Sequence, residues 1–156
     1  MEIKGDKPED ELYKGRISYL LGENKDAISY LEKAKEHKQM LASYYLGLAY
    51  DANGDSDKAK KCIAEYIKSG AATSYDLYEL GMQEMQDGNY KNALTYFNSG
   101  LELEKVPNKQ NLMKSAIAAY EYSGDFDSAK KMMKEYLKAY PDDEEAKHEN
   151  TFLETR

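Results

Sequence analysis

Apolar residues of two sizes recur at fixed distances along the chain, each time after a glycine. Four segments share the pattern: LGENKDAISYL, NGDSDKAKKCI, DGNYKNALTYF and SGDFDSAKKMM. The glycines are Gly22, Gly54, Gly88 and Gly124, the alanines five residues later are Ala27, Ala59, Ala93 and Ala129, and the large residues four further on are Leu31, Ile63, Phe97 and Met133. Successive glycines lie 32, 34 and 36 residues apart, which indicates four copies of one structural unit.

Each of these glycines marks a turn between two helical patterns. Asp55, Asn89 and Asp125 follow the glycine directly in three of the units, whereas the first unit has Glu23 and Asn24 there. Aspartate and asparagine are good N-caps, because a short side-chain oxygen can accept a hydrogen bond from an amide of the first turn. Each unit is therefore predicted to be a helix, a tight turn and a second helix.

The units resemble tetratricopeptide repeats, whose pattern places Leu-Gly and Tyr on the first helix and Ala and Phe on the second. The second unit supplies Leu46, Gly47, Tyr50, Ala59 and Ile63, and the third supplies Leu80, Gly81, Ala93 and Phe97. The fourth unit has Ile117 in place of the glycine, and the first has Lys14 in place of the leucine. The resemblance implies an all-α fold, a right-handed superhelical solenoid of antiparallel helix pairs.

Gly47 and Gly81 fall in the middle of predicted first helices, where a glycine costs about 1 kcal/mol relative to alanine. We expect them where the two helices of a repeat cross, with Ala59 and Ala93 facing them from the second helix. Close packing of the two backbones would then offset the cost. Contact with a ligand is the alternative explanation.

The predicted organisation has three parts. Residues 1–7 are expected to be a flexible N-terminal segment, residues 8–141 four repeats (about 8–39, 40–73, 74–109 and 110–141), and residues 142–156 a C-terminal capping helix. Pro107 and Pro141 are expected to stop the second helices of the third and fourth units. Asp142 and Glu145 have the spacing of a capping box at the start of the last helix.

Charge and hydropathy limit the partners. The 156 residues carry a net charge of −7 with 29 acidic side chains, which disfavours nucleic acid because phosphate binding needs a basic face. No apolar run approaches the roughly 18 residues of a membrane span, so no membrane insertion is expected. The sequence leaves the compartment unknown: no leader is visible at MEIKGDKPED, which makes a soluble cytoplasmic protein the default, and a trimmed secreted or surface-anchored parent is the open alternative.

Side chains that could carry chemistry give little support for catalysis. DANGDSD, from residue 51 to 57, has the alternating ligands of a calcium loop but Ser56 and Cys62 where the loop needs Gly and Glu. His37 and His148 are far apart in sequence and have no ligand partner at helical spacing. Cys62 is expected to be a buried structural thiol. We therefore predict no catalytic residues, no metal and no cofactor.

A binding surface is the remaining candidate. The resemblance implies that first-helix side chains line a concave groove. The positions carried over as partner-binding are Leu12, Arg16, Tyr19, Tyr44, Tyr75, Tyr78, Met82, Met85 and Tyr122, and the fourth unit adds Lys114, Ala118 and Glu121. Tyrosine offers contact area at low entropic cost and methionine adapts to irregular partners. About half of these side chains are expected to pack between repeats instead.

The predicted function is a non-catalytic protein–protein interaction module or scaffold that holds a peptide, a helix or a protein surface. The positions that would clamp a partner's C-terminal carboxylates in some relatives hold Leu12, Arg16, Tyr45, Tyr75 and Glu79, so that type of partner is not supported. Two alternatives stay open: a self-associating structural module, possibly a homodimer, and an enzyme with a site in the groove, which the scarcity of histidine disfavours.

Overall fold

A computed structural model describes residues 7–156, and that part of the chain is all helical. The nine helices of the described residues are α1 (Pro8–Leu20), α2 (Asn24–Glu36), α3 (Met40–Ala52), α4 (Ser56–Lys68), α5 (Ser74–Gln86), α6 (Tyr90–Leu101), α7 (Lys109–Ser123), α8 (Phe126–Ala139) and α9 (Glu144–Leu153). The predicted flexible segment, residues 1–7, lies outside the described residues except for Lys7, which is the N-cap of α1. The all-α prediction is confirmed.

The helices belong to two compact units. Among the described residues, unit 1 runs to Ala72 and contains α1 to α4, and unit 2 is Thr73–Arg156 and contains α5 to α9. Within each unit, every helix packs on the next one along the chain, and alternate helices also touch: α1 on α3 in unit 1, and α5 on α7 in unit 2. Each unit is thus a layer of helical hairpins. The predicted repeat boundaries and the capping role of the last helix stay predictions.

The four glycines of the sequence pattern lie in the turns between paired helices. All four have positive φ, between 75° and 86°, a backbone conformation that side chains with a Cβ disfavour. The amide of the residue after Gly22, Gly54, Gly88 or Gly124 bonds back to a carbonyl of the preceding helix, as Asp125 N–H does to Tyr120 O at 2.9 Å. The predicted turns are therefore present, with the geometry that glycine permits.

The predicted N-caps are only partly correct. Asp55, Asn89 and Asp125 all occupy N-cap positions, but only Asp125 accepts a first-turn amide, from Ser128 at 3.1 Å. The side chain of Asp55 instead accepts the Asn53 side-chain amide at 3.2 Å. At the last helix the cap is Asp143, which accepts from Ala146 N–H at 3.1 Å, and not Asp142 as the capping-box spacing suggested.

The mid-helix glycines accommodate large side chains rather than alanines. A methyl group on Gly47 would come within 2.6 Å of Ile63 Cδ1, and one on Gly81 within 2.6 Å of Phe97 Cδ1. Gly15 stands in the same relation to Leu31. The expected close helix crossing is present, but the small residue of the first helix makes room for the large residue of the second helix, and the alanine is not its main partner.

Alternating small and large residues also build the two cores. In unit 1 the fully buried residues include Leu31 and Leu46, surrounded by alanines of α2 and α3. In unit 2, Phe97 and Leu112 pack with alanines of α6 and α7, while Tyr136 and Leu153 connect α8 to α9. Buried alanines let neighbouring helices approach, so the large side chains fill the remaining space.

The two prolines predicted to stop helices, Pro107 and Pro141, differ in their effect. α8 ends at Ala139, two residues before Pro141, as predicted. α6 ends at Leu101, six residues before Pro107, so that proline does not stop the helix. Asn108, the N-cap of α7, instead fixes the long connection: it is buried, and its side-chain amide donates to Ser74 O at 3.1 Å.

Candidate functional site

The predicted groove residues of unit 1 form an aromatic cluster. The Arg16 guanidinium lies 4.8 Å from the centre of the Tyr45 ring, and Tyr19 meets the same ring edge-on at 6.3 Å. Burial raises the pKa of the Tyr19 hydroxyl, as do Asp51 and Tyr45 nearby. Arg16 and Tyr19 are half-buried, so α1 and α3 hold this cluster together through cation–π and edge-to-face contacts.

Tyr44 and Leu12 contribute to packing within unit 1. Tyr44 is buried, with its ring 5.2 Å from that of Tyr45 and 5.3 Å from that of Tyr66 on α4. Leu12 is half-buried against the core of the unit. Their role as partner contacts stays a prediction, as does the expectation that Tyr44 shares a concave face with the tyrosines of α5.

The predicted residues of α5 divide by exposure. Tyr75 is 56% exposed. Tyr78, Met82 and Met85 are half-buried against the core that α6 and α7 form around Phe97, and Ser115 Oγ donates to Met82 Sδ at 3.6 Å. These three side chains therefore pack between helices and also present an outer edge, whereas Tyr75 is directly available.

The predicted residues of α7 lie in two places. Lys114, Ala118 and Glu121 line a pocket of about 240 Å³, which α7 forms with α8 and α9. Tyr122 is 68% exposed and stacks on Tyr90 at the start of α6, with ring centres 5.4 Å apart. The structure thus brings three of the α7 side chains to the last helix and places Tyr122 against α6.

A polar network fixes the start of α9 beside this pocket. Gln110 donates to the Tyr136 hydroxyl at 2.8 Å, and that hydroxyl donates to Asp143 at 2.6 Å. Lys114 Nζ lies 2.8 Å from Asp143 and 3.4 Å from Glu145. The hydrogen bonds from Lys114, Tyr136 and the Ala146 amide hold the pKa of Asp143 well below its ordinary value. The network joins the ends of α7, α8 and α9.

Two carboxyl groups meet at the other end of the pocket. Glu121 on α7 and Glu149 on α9 both line it, and they are close enough to share a hydrogen bond when one is protonated. Burial, followed by the charge of Glu149, raises the pKa of Glu121 to about 7. Glu121 Oε1 is buried without a hydrogen-bond donor among the described residues. Glu121 is thus the carboxyl group of this pocket whose pKa is raised, with Glu149 as its neighbouring charge.

Sequence reasoning missed several residues of these surfaces. It named Tyr45, the centre of the unit 1 cluster, only as a position that does not form a carboxylate clamp. It also passed over Glu149 and Tyr136. A signal for Glu149 was present, because Glu145 and Glu149 are four residues apart and share one face of α9. Nothing in the sequence pairs α7 with α9.

Other groups in the structure show no arrangement for chemistry. Cys62 is buried, and burial raises the pKa of its thiol although Lys35 Nζ lies 4.0 Å from the sulfur. Over residues 7–156, no three His, Cys, Asp or Glu side chains are grouped as metal ligands. Within the same residues, no helix has the length and apolar character to cross a membrane.

The outer face of α1 is unusually apolar. Tyr13, Ile17, Leu20 and Leu21 recur at helical spacing and are 41–76% exposed, a set that we call the α1 stripe. Such a contiguous apolar surface is typical of a contact site.

These helical hairpins define a helical-repeat protein, and the comparisons identify the repeat. The sequence model of the tetratricopeptide repeat family matches residues 41–69 and 110–143. The two matches fall on the second and fourth predicted units, so the tetratricopeptide resemblance is confirmed. No curated protein matches the chain by sequence.

Solved structures of tetratricopeptide proteins share the fold. A double mutant of MamA from RS-1 has a TM-score of 0.65 at 18% identity; the match covers 97% of the present chain and 85% of the MamA chain. PilF of Pseudomonas aeruginosa has a TM-score of 0.64 at 14% identity; the match covers 94% of the present chain and 67% of the PilF chain. A kinesin light chain with tetratricopeptide-like repeats from Podospora anserina has a TM-score of 0.60 at 15% identity, covering 95% and 87%. This fold supports a general role as a protein-interaction scaffold and is typically non-catalytic.

Proposed function

We propose that unit 2 binds a protein or peptide partner on the face formed by α5, α7 and α9, without chemistry of its own. The observation that carries the proposal is the exposure of Tyr75, which is 56% exposed at a groove position of the family pattern. A large aromatic side chain left in solvent on a helix that packs well elsewhere is a suitable anchor, because aromatic residues dominate interface energies.

The neighbours of Tyr75 suit the same role. Tyr78, Met82 and Met85 follow it along α5, and each keeps an accessible edge while its inner side packs on the unit 2 core. Methionine side chains adapt to irregular surfaces, and the packed inner edges hold them in place without extra ordering cost. The surface is therefore partly preorganised for an apolar segment of a partner.

The test is capture of partners from the source organism, followed by mass spectrometry, with Tyr75→Ala and wild-type protein side by side. We expect Tyr75→Ala to lose partners that the wild type retains while its helical circular dichroism is unchanged. The matched control is the Lys130→Ala, Lys131→Ala variant on α8, which should retain them. Equal capture by Tyr75→Ala and wild type would refute the α5 surface as the binding face.

Self-association is a second candidate, and the α1 stripe favours it. Four large apolar side chains exposed on one helix can bury one another in a symmetric contact between two copies. Light scattering should then show a dimer that Ile17→Glu converts to monomer, with Lys25→Glu, an exposed change on α2, as the control. A monomer at all concentrations would rule out this contact.

A further inference from the structure

The pocket between α7, α8 and α9 combines an apolar floor with two carboxyl groups that lack a cation. Ile117, Met133 and Ala146 form buried parts of the floor, and Ala118 adds a half-buried methyl group. Glu121 and Glu149 line the same pocket, and no lysine or arginine of the described residues forms an ion pair with either. The combination selects for an occupant that is apolar along its length and positive at its tip.

We propose that this pocket receives a lysine or arginine side chain of a partner peptide, with its methylene stem on the apolar floor and its charged head at the Glu121 and Glu149 carboxylates. The inference rests on the proposed function and names one contact of the partner. Lysine and arginine are the side chains that bury an aliphatic stem while keeping a charged end. An acidic or purely apolar side chain would leave the two carboxylates repelling each other.

The size of the pocket supports a single side chain as occupant. Its volume of about 240 Å³ lies below the roughly 300–1,000 Å³ of pockets that hold drug-sized ligands. Glu121 Oε1 is buried and lacks a donor among the described residues, and an ammonium or guanidinium group would supply one. A charged donor at that atom would offset a desolvation cost that the unliganded chain already bears.

The other polar and charged groups around the pocket already have partners at the start of α9. Lys114 on α7 is held by Asp143 and Glu145 at the start of α9, so it does not neutralise the Glu121–Glu149 pair. From α8, the pocket receives the Tyr136 side chain, whose hydroxyl donates to Asp143. At the end of the pocket formed by Glu121 and Glu149, a positive charge is therefore left for a partner to supply.

Protonation gives the proposal a distinctive signature. Because the pKa of Glu121 is raised to about 7, the pair carries one more negative charge at pH 8 than at pH 5.5. A cation binds the more negative form better, so affinity for a basic side chain should rise as the pH rises through about 7. An apolar occupant would not bind more tightly as the pH rises, because it desolvates the carboxylates without supplying an opposite charge.

The experiment is a nuclear magnetic resonance titration of the full chain with Nα-acetyl-lysine methylamide, and with the norleucine analogue as the uncharged match. We expect the lysine probe to shift signals of α7 and α9, to bind roughly five- to tenfold more tightly than norleucine at pH 8, and to lose most of that advantage at pH 5.5. Glu121→Gln and Glu149→Gln should each abolish the advantage, and Glu135→Gln on α8 should keep it.

Equal binding of the two probes, or an advantage that survives both glutamine variants, would overturn the proposal. Circular dichroism of the glutamine variants checks that the helices are intact. If α9 detaches in the variants, a wild-type titration across pH still decides, because the lysine advantage must fall as Glu121 is protonated below about pH 7. Loss of partners in Tyr75→Ala without any lysine advantage in the wild type would refute this inference alone, whereas unchanged capture by Tyr75→Ala with an intact lysine response would refute the proposed α5 surface alone.

Discussion

Gly81 on α5 lies directly against the ring of Phe97 on α6, and a methyl group on Gly81 would come within 2.6 Å of Phe97 Cδ1. Phe97 is fully buried, so its ring has nowhere to move. The contact explains why a residue with poor helix propensity occupies the middle of α5. Because glycine has no side chain, α5 and α6 can approach each other closely around the Phe97 ring.

Gly81→Ala should therefore destabilise unit 2, although alanine is the better helix former. The gain of about 1 kcal/mol in propensity is outweighed by overpacking of about 1–3 kcal/mol against a rigid ring. Thermal unfolding of the variant and wild type measures the net effect. Gly47→Ala is the matching change in unit 1 and should destabilise for the same reason, because Ile63 Cδ1 and Cγ1 lie 2.6 and 2.7 Å from the added methyl group and the Ala59 carbonyl oxygen lies 3.3 Å away.

A double-mutant cycle checks the assignment of the contact. Phe97→Leu alone should destabilise by leaving a cavity, but Gly81→Ala should cost less in the Phe97→Leu background than in wild type. Additive effects of the two changes would contradict the contact between position 81 and the ring.

The sequence pattern predicted this part of the fold because its signal is local and repeated. The glycine, alanine and large-residue spacing predicted the helix-turn-helix units and the turn glycines, which have positive φ. The pattern did not show that the glycine faces Phe97 and not Ala93. Both residues lie on the same face of α6, and only the positions of the two helices decide which one comes nearer to Gly81.

The candidate site was less predictable for the same reason. The family positions named both Tyr44 and Tyr75 as groove residues, yet Tyr44 is buried against Tyr66 while Tyr75 is exposed. The pairing of Glu121 with Glu149 depends on where α9 docks, and α9 is a short helix with few apolar residues. Sequence periodicity describes one helix at a time and carries little information about such docking.

The helix caps give a second prediction. Asp125→Ala should lower the free energy of unfolding by about 1 kcal/mol, because Asp125 accepts the Ser128 amide at 3.1 Å and that donor would lose its partner. Asp55→Ala should cost clearly less, since Asp55 caps no amide of α4 with its side chain. Chemical denaturation of the two variants compares them, and equal losses would show that the cap bond is not the cause.

The network at the start of α9 gives a third prediction. The pKa of Asp143 is lowered in the folded chain, so its stabilising effect is present above the ordinary aspartate pKa of about 4 and is lost as the pH falls below it. Asp143→Asn should therefore be less stable than wild type at pH 7, and the difference should shrink towards pH 2.

Amide hydrogen exchange of α9 provides the local measurement for that variant. Asp142→Asn changes the neighbouring exposed carboxylate and is the matched control, with exchange rates expected to equal those of wild type. Tyr136→Phe should also speed exchange in α9, because it removes the hydroxyl that joins Gln110 to Asp143. Unchanged exchange in both Asp143→Asn and Tyr136→Phe would show that the network does not hold α9.

The fourth prediction concerns Glu121 and the direction of its pH effect. Its pKa is raised from 4.5 to about 7 on folding, so the folded chain binds more protons than the unfolded chain between these values. The contribution of Glu121 to stability therefore falls as the pH rises from about 4.5 to about 7 and then levels off. Glu121→Gln removes this titration, so its melting temperature should exceed that of wild type at pH 8 and should match it near pH 4.5.

Glu135→Gln on the exposed side of α8 should follow the wild-type curve at every pH. A Glu121→Gln curve parallel to that of wild type would mean that neither burial nor the charge of Glu149 raises the pKa of Glu121, and the charge assigned to the pocket would then be wrong.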